Sequence, residues 1–336
     1  MTAVKIFFGN YKGGVGKTTS TFQIGAWLAK KGKKILMIDL DPQCSLSHIC
    51  ANNVGGYQTL GDYPYNSTLN YALELYLRFI KNNVNDFQLL TDQIEDLGKF
   101  IEDNIIFSIK DNEYHGNLNF IPSSIVFKNA RLNDLAQRMS QNVLNVFIIP
   151  LILRHLKCDE KFDYIFFDCP PTSNILTQSI FMASDYYIIP TIGDEVSMQG
   201  VPDYITEIES IYVKYAMHDE IGGILLNAYF GDKPQLIGVF ETIYKTNANN
   251  LDFIGVLDRN IDQLQVGSLL SEDMYSTFRY NNSGFKTKHV FKDFIPHRSG
   301  IASGTSMSLH LQNGSRHEAY EVISSQILEI LDTVTS

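Results

Sequence analysis

Tyr11-Lys12-Gly13-Gly14-Val15-Gly16-Lys17-Thr18-Thr19 is the stretch on which the reading of this chain turns. Before it runs Val4-Lys5-Ile6-Phe7-Phe8-Gly9, a short apolar segment suited to a buried strand. After it, Ser20 to Lys31 carries Phe22, Ile24, Ala26, Trp27, Leu28 and Ala29 and reads as a helix. Strand, glycine-rich loop and helix make a phosphate-binding unit. Glycines let the backbone curl so that several N–H groups point inward, and the helix N-terminus adds positive partial charge. Lys17 would reach the β- and γ-phosphates of a nucleotide, and the Thr18 hydroxyl would ligate Mg²⁺.

The general P-loop pattern has glycine five residues before Gly16, where this chain has Tyr11. What stands instead is Lys-Gly-Gly-Val-Gly-Lys-Thr-Thr, with a second lysine, Lys12, opening the loop. In this the chain resembles the deviant Walker A group, the ParA/MinD class of ATPases. The resemblance implies ATP and Mg²⁺ as cofactors and Lys12, Gly13, Gly14, Val15, Gly16, Lys17, Thr18 and Thr19 as the nucleotide cradle. It also implies that Lys12 crosses a dimer interface to the partner's phosphates.

Two further elements stand in register with the loop. Lys34-Ile35-Leu36-Met37-Ile38-Asp39 reads as a second strand running into Leu40-Asp41-Pro42-Gln43. Carboxylates at the C-terminal end of a parallel strand lie at the ligand edge of the sheet. Phe162 to Phe167 is an apolar strand ending in Asp168-Cys169-Pro170-Pro171, the Walker B arrangement. By resemblance Asp41 orients the attacking water, Asp39 supports the Mg²⁺ shell and Asp168 holds the ion through water. Lys12, Lys17 and Asp41 are thus the expected catalytic residues, and Thr18, Asp39 and Asp168 the expected metal set. Without the resemblance, Asp39 and Asp41 also suit a simple capping role.

The remaining chain suggests an α/β fold, doubly wound, with a mostly parallel sheet of about seven or eight strands and helices on both faces. Leu118-Asn119-Phe120-Ile121 and Asp185 to Thr191 read as strands, as do Ile221 to Asn227 and Phe253 to Leu257. Asn227, at the end of its strand, is where the family hydrogen-bonds adenine; a strand-end Asn satisfying loop backbone is the plainer alternative. Residues 50–117 are read as a helical elaboration at the outer sheet edge, with helices over Thr68 to Ile80 and Asp86 to Ile105. The whole chain, 1–336, is taken as one P-loop domain.

Net charge is −10 over 336 residues, which argues against a uniformly basic nucleic-acid coat. The charge reverses locally from Arg279 to Arg316, where six basic residues face one acid, Asp293. Arg279, Lys286, Lys288, Lys292 and Arg298 suit phosphate contacts without base reading; a solvated basic face is the alternative. The last helix, Arg316 to about Asp332, sets Tyr320, Ile323, Ile327 and Ile330 on one face and acids on the other, with no Lys or Arg after Arg316. Anionic membrane would repel it, so it is expected to dock on the core. Four cysteines lack CxxC spacing, and no stretch of 18 apolar residues occurs. A cytoplasmic, nucleoid-associated place is expected.

The resemblance therefore implies a ParA-like ATPase. It would form a homodimer on binding ATP, bind nonspecific DNA, and position plasmid, chromosome or other cargo with a ParB-like activator. A MinD-like membrane regulator and an amidoligase-type metabolic ATPase are the alternatives. A reductase holding an iron–sulfur cluster is set aside because Cys44 and Cys50 follow the P-loop too closely and Cys158 and Cys169 bracket Walker B. With the P-loop starting at residue 11, no specific operator-binding extension is expected.

Overall fold

A computed structural model describes residues 2–51, 54, 59–83, 101, 104–110, 115–243, 250–270, 277–280, 283–296 and 314–335. Seven strands form one sheet: β1 (Val4–Phe8), β2 (Ile35–Asp39), β3 (Phe107–Ser108), β4 (Leu118–Ile121), β5 (Tyr164–Asp168), β6 (Tyr186–Thr191) and β7 (Gln235–Glu241). Their spatial order is β3-β4-β2-β5-β1-β6-β7. Every neighbouring pair is parallel except β3 with β4.

The central strands are mainly apolar because both faces are covered, with acids at the C-terminal ends of β2 and β5. Alternate residues go to opposite sides, as the two-residue pleat requires. Phe7, Leu36, Ile38, Ile165 and Phe167 enter one core; Ile6, Phe8, Ile35, Met37 and Phe166 enter the other. The second core is closed by α1 (Lys17–Lys30), α2 (Ser45–Ala51) and, at the far end of the chain, α10 (Gly314–Thr335). The first is closed by α3 (Leu69–Asn83), α4 (Leu132–Met139), α5 (Ile148–His155), α6 (Ile175–Met182), α7 (Glu195–Ala216), α8 (Gly222–Phe230) and α9 (Asn250–Asp262). A hairpin of β8 (Thr277–Tyr280) and β9 (Ser283–Lys286) stands apart from the sheet.

Helices on both faces of a mostly parallel sheet bear out the expected class. The C-terminal helix docks as expected, burying Tyr320, Ile323, Ile327, Ile330 and Leu331. Among the described residues no helix is long and apolar enough to cross a membrane.

Two expected strands are helices. Ile221 to Asn227 falls in α8, which begins where the N–H groups of Ile221 and Gly222 both return to the His218 carbonyl and Gly222 takes φ +64. Phe253 to Leu257 falls in α9, where the buried Phe253, Ile254, Leu257 and Ile261 follow helical spacing. The place beside β6 belongs instead to Gln235–Glu241. A short apolar run has no periodicity of its own to tell strand from helix. In the 50–117 stretch α3 is present as expected and β3 was not anticipated. The expected helix over Asp86 to Ile105 lies largely outside the described residues.

Candidate active site

The C-terminal ends of β1, β2 and β5 meet in register. Phe8 pairs with Asp168, and Asp39 pairs with Asp168. The P-loop that leaves β1 therefore starts beside both carboxylates. Gly14 and Gly16 have φ +74 and +76, a region that residues with a Cβ seldom adopt. Two left-handed residues in one short loop turn its amides inward. Lys17 Nζ donates to the carbonyls of Asn10 and Lys12, each at 3.1 Å, and so closes the loop on itself. Burial lowers the Lys17 pKa; the charges of Asp168 and Asp41 oppose that shift.

A cavity of about 430 Å³ opens over this loop. Gly13, Gly14, Gly16, Lys17, Thr18 and Thr19 form its floor, and Asp41 and Gln43 line one wall. Thr242, Ile243, Ile295, Pro296 and Tyr320 also line the cavity. The lining thus combines an amide-rich loop and charged groups with apolar and aromatic side chains, which fits a ligand with an anionic tail and a flat apolar head. Val15 is fully buried and is not among the residues that line the cavity; its carbonyl accepts from the Thr242 hydroxyl at 2.7 Å.

The three acids have different surroundings. Asp39 is fully buried, and its Oδ2 accepts from both the N–H and the hydroxyl of Ser47 at 2.7 Å. Oδ1 accepts from the Asp41 N–H at 3.2 Å. Burial pushes its pKa up to about 7 against those hydrogen bonds. Ser47 in turn accepts from the Ser123 N–H, and the Ser123 hydroxyl donates to the Asp39 carbonyl. Asp39 thus ties β2, α2 and the turn after β4 together.

Asp168 is equally buried, yet neither of its oxygens has a hydrogen-bond partner among the described residues. The Thr18 hydroxyl stands close enough to act on its charge. Burial, then the neighbouring Asp39, raises its pKa well above the carboxylate range. An orphaned buried carboxylate beside a threonine hydroxyl fits a hydrated Mg²⁺ ion. Asp41, half-buried on the cavity wall, accepts from the Gln43 N–H at 2.8 Å.

Lys12 lies outside this cluster. Its Nζ pairs with Asp194, the residue that caps α7 by accepting from the Ser197 N–H at 2.9 Å. Burial would raise the Asp194 pKa; the hydrogen bonds from Lys12 and Ser197 outweigh it and hold the carboxyl low.

A family model for an AAA domain, AAA_31, matches residues 3–221, which carry the P-loop, both acidic strand ends and the Lys12–Asp194 pair. The chain belongs to this family. Among relatives, the sporulation initiation inhibitor protein Soj of Bacillus subtilis is 27% identical over 254 residues, covering 75% of this chain and 83% of Soj. An uncharacterized protein of Mycobacterium tuberculosis is 26% identical over 221 residues, covering 66% of this chain; the match spans only 56% of that relative's length. Among solved structures, a putative plasmid partition protein of Borrelia burgdorferi bound to AMPPNP superposes with TM-score 0.58 at 20% identity, covering 99% of each chain. That last likeness is one of fold.

In this ParA-type P-loop protein of the ParA/MinD superfamily, one expected placement does not hold. Asn227 is exposed on α8, away from the cavity, and its carbonyl serves the helix end by accepting from Gly231. Its expected role rested on a strand that is not there. The strand that does end at the cavity is β7, followed by Thr242. Of the basic segment, Lys286 is exposed at the end of β9. Lys288 is held by both oxygens of Asp262, at 3.0 and 3.1 Å. Lys292 is exposed beside the half-buried Asp293. Arg279 lies on β8, paired with Gly284, and its side chain is outside the description, as is all of Arg298.

Sequence reasoning missed Ser47, Ser123, Thr242 and Tyr320. Tyr320 reaches the cavity from α10 and pairs its hydroxyl with Ser20 at 3.2 Å. A serine or threonine at a strand or helix end carries no motif.

Proposed function

We propose that this protein is an ATPase that pairs with a second copy when MgATP is bound, binds nonspecific DNA in that state, and positions cargo with a ParB-like partner that stimulates hydrolysis. The observation that carries the reading is the division of labour between two lysines of one loop. Lys17 is turned inward over the phosphate floor, while Lys12 is held at the rim by a carboxylate it can exchange for another anion.

In this reading the amides of Gly13 to Thr19 and the Lys17 ammonium take the β- and γ-phosphates. Thr18 and Asp168 would hold Mg²⁺, which when bound would supply positive charge beside the terminal phosphates. Asp39 holds α2 and the loop after β2, so that Asp41 sits at the cavity wall where a water meets the γ-phosphate. Asp41 orients that water. Lys12 leaves Asp194 and reaches across to the second copy's phosphates. The adenine packs against Ile243, Ile295, Pro296 and Tyr320. The basic residues Lys286, Lys288 and Lys292, with Arg279 and Arg298, contact phosphates of DNA.

Nucleotide binding and turnover of two variants test this. Lys17→Ala loses MgATP binding; Asp41→Ala keeps binding and loses hydrolysis. Full ATPase activity in Asp41→Ala would refute the role given to that acid. A wild-type protein that binds no nucleotide would end the reading.

A further inference from the structure

Thr242 follows β7, more than two hundred residues from the P-loop, and is 2% exposed. Its N–H donates to the Thr191 carbonyl at 2.7 Å, which fixes it beside the end of β6. Its hydroxyl lies 2.7 Å from the Val15 carbonyl and 2.9 Å from the Thr191 carbonyl. A hydroxyl has one proton. Thr191 already accepts the Thr242 N–H, and the Val15 oxygen is the nearer, so the proton belongs to Val15.

The Val15 carbonyl and the Gly16 N–H are the two ends of one planar trans peptide, and they point in opposite directions. Holding the carbonyl on Thr242 therefore fixes the direction of the N–H of Gly16, a residue that lines the cavity. A pin is needed there. Gly14 and Gly16 flank Val15 at φ +74 and +76, and glycine has no Cβ to resist rotation of the adjoining peptide plane. Turned over, the same peptide would present a carbonyl oxygen to an anion. Thr242 is the near neighbour of Gly16 as well: a Cβ built on that glycine would stand in ordinary van der Waals contact with it, at 3.6–3.7 Å.

We infer that Thr242 is a positioning residue for the phosphate nest: its hydroxyl sets the Val15–Gly16 peptide plane so that the Gly16 N–H faces the nucleotide's phosphates. This rests on the nucleotide-binding reading above. The residue touches neither phosphate nor metal in that scheme and acts through the loop it pins.

Titration of MgADP and MgATP into wild type, Thr242→Val and Thr242→Ser tests it, with melting of each ligand-free protein measured alongside. Val keeps the shape and removes the proton donor; Ser keeps the donor. The expected result is a Kd for both nucleotides raised about tenfold in Thr242→Val and within about twofold of wild type in Thr242→Ser. In turnover, KM rises with Thr242→Val while kcat holds, the mark of lost uniform binding. Should Thr242→Val not fold, Thr242→Ala carries the same comparison against Ser. Unchanged affinity in the variant lacking the hydroxyl overturns the inference, and so does an equal loss in Thr242→Ser. No binding by wild type overturns the ATPase reading itself and this inference with it.

Discussion

The Lys12 ammonium is paired with Asp194, the residue that also caps α7. The lysine that opens the P-loop is thus held within its own subunit by an acid 182 positions away. If Lys12 must reach a second copy, this pair competes with dimer formation. Asparagine caps a helix about as well as aspartate and carries no charge. Asp194→Asn therefore keeps α7 and releases Lys12. The ion pair is partly exposed, with side chains 27% and 39% accessible, so its effect is modest. The midpoint of MgATP-dependent dimerisation, read by sedimentation, is expected to fall about two- to fivefold in protein concentration. An unchanged midpoint would show that the pair does not restrain Lys12.

Gly9, between β1 and the loop, has no room for a side chain. A Cβ there would lie 2.0 Å from the Tyr204 hydroxyl and 2.2 Å from the Phe7 ring. Both neighbours are buried and cannot withdraw. Gly9→Ala is expected to destabilise the protein by roughly 1–3 kcal/mol and to shift the start of the P-loop. Chemical denaturation gives the first effect and MgADP affinity the second. Wild-type values for both would mean that Tyr204 and Phe7 yield more easily than a packed core allows.

His155, at the end of α5, stacks on Tyr76 and pairs its Nδ1 with the Tyr76 hydroxyl. Burial, helped by the Arg154 charge, lowers its pKa to about 4 from 6.5. Between these values the unfolded chain binds a proton that the folded chain refuses, so stability rises with pH there and is lost as pH falls from 6.5 towards 4. Glutamine retains an acceptor for Tyr76 and does not titrate. The melting curves of wild type and His155→Gln are expected to diverge across that window and to run parallel above pH 7. Parallel curves throughout would remove His155 as the source.

Lys286 and Lys288 differ in what they offer DNA. Lys286 is exposed, whereas Lys288 is held by Asp262. Each phosphate contact contributes about 0.9 to the slope of log K against log salt. If the basic segment binds DNA, Lys286→Ala is expected to lower that slope by about 1, with a smaller change for Lys288→Ala and a gain in affinity for Asp262→Asn. Equal slopes in all three variants would place the DNA surface elsewhere.

How much of this site could be read from the residues alone follows from distance along the chain. A phosphate nest is built by consecutive amides, so Gly13 to Thr19 carry their purpose in their order. Asp39 and Asp168 each end an apolar run, and a parallel sheet gathers such ends at one edge. The fold class, the loop, the two acidic strand ends and the docking of the last helix were all legible for that reason. Ile221 to Asn227 and Phe253 to Leu257 were not, because a brief apolar run is compatible with strand and helix until its neighbours choose.

Chain order settled which loop groups line the cavity, since those groups are neighbours in sequence and need only a turn to converge. Folding in three dimensions settled what holds them. Asp194 reaching Lys12, Thr242 pinning Val15, Tyr320 pairing with Ser20 and Ser123 bracing Asp39 all join residues far apart in the chain. A single hydroxyl or carboxylate has no pattern until the strand or helix that carries it has been placed.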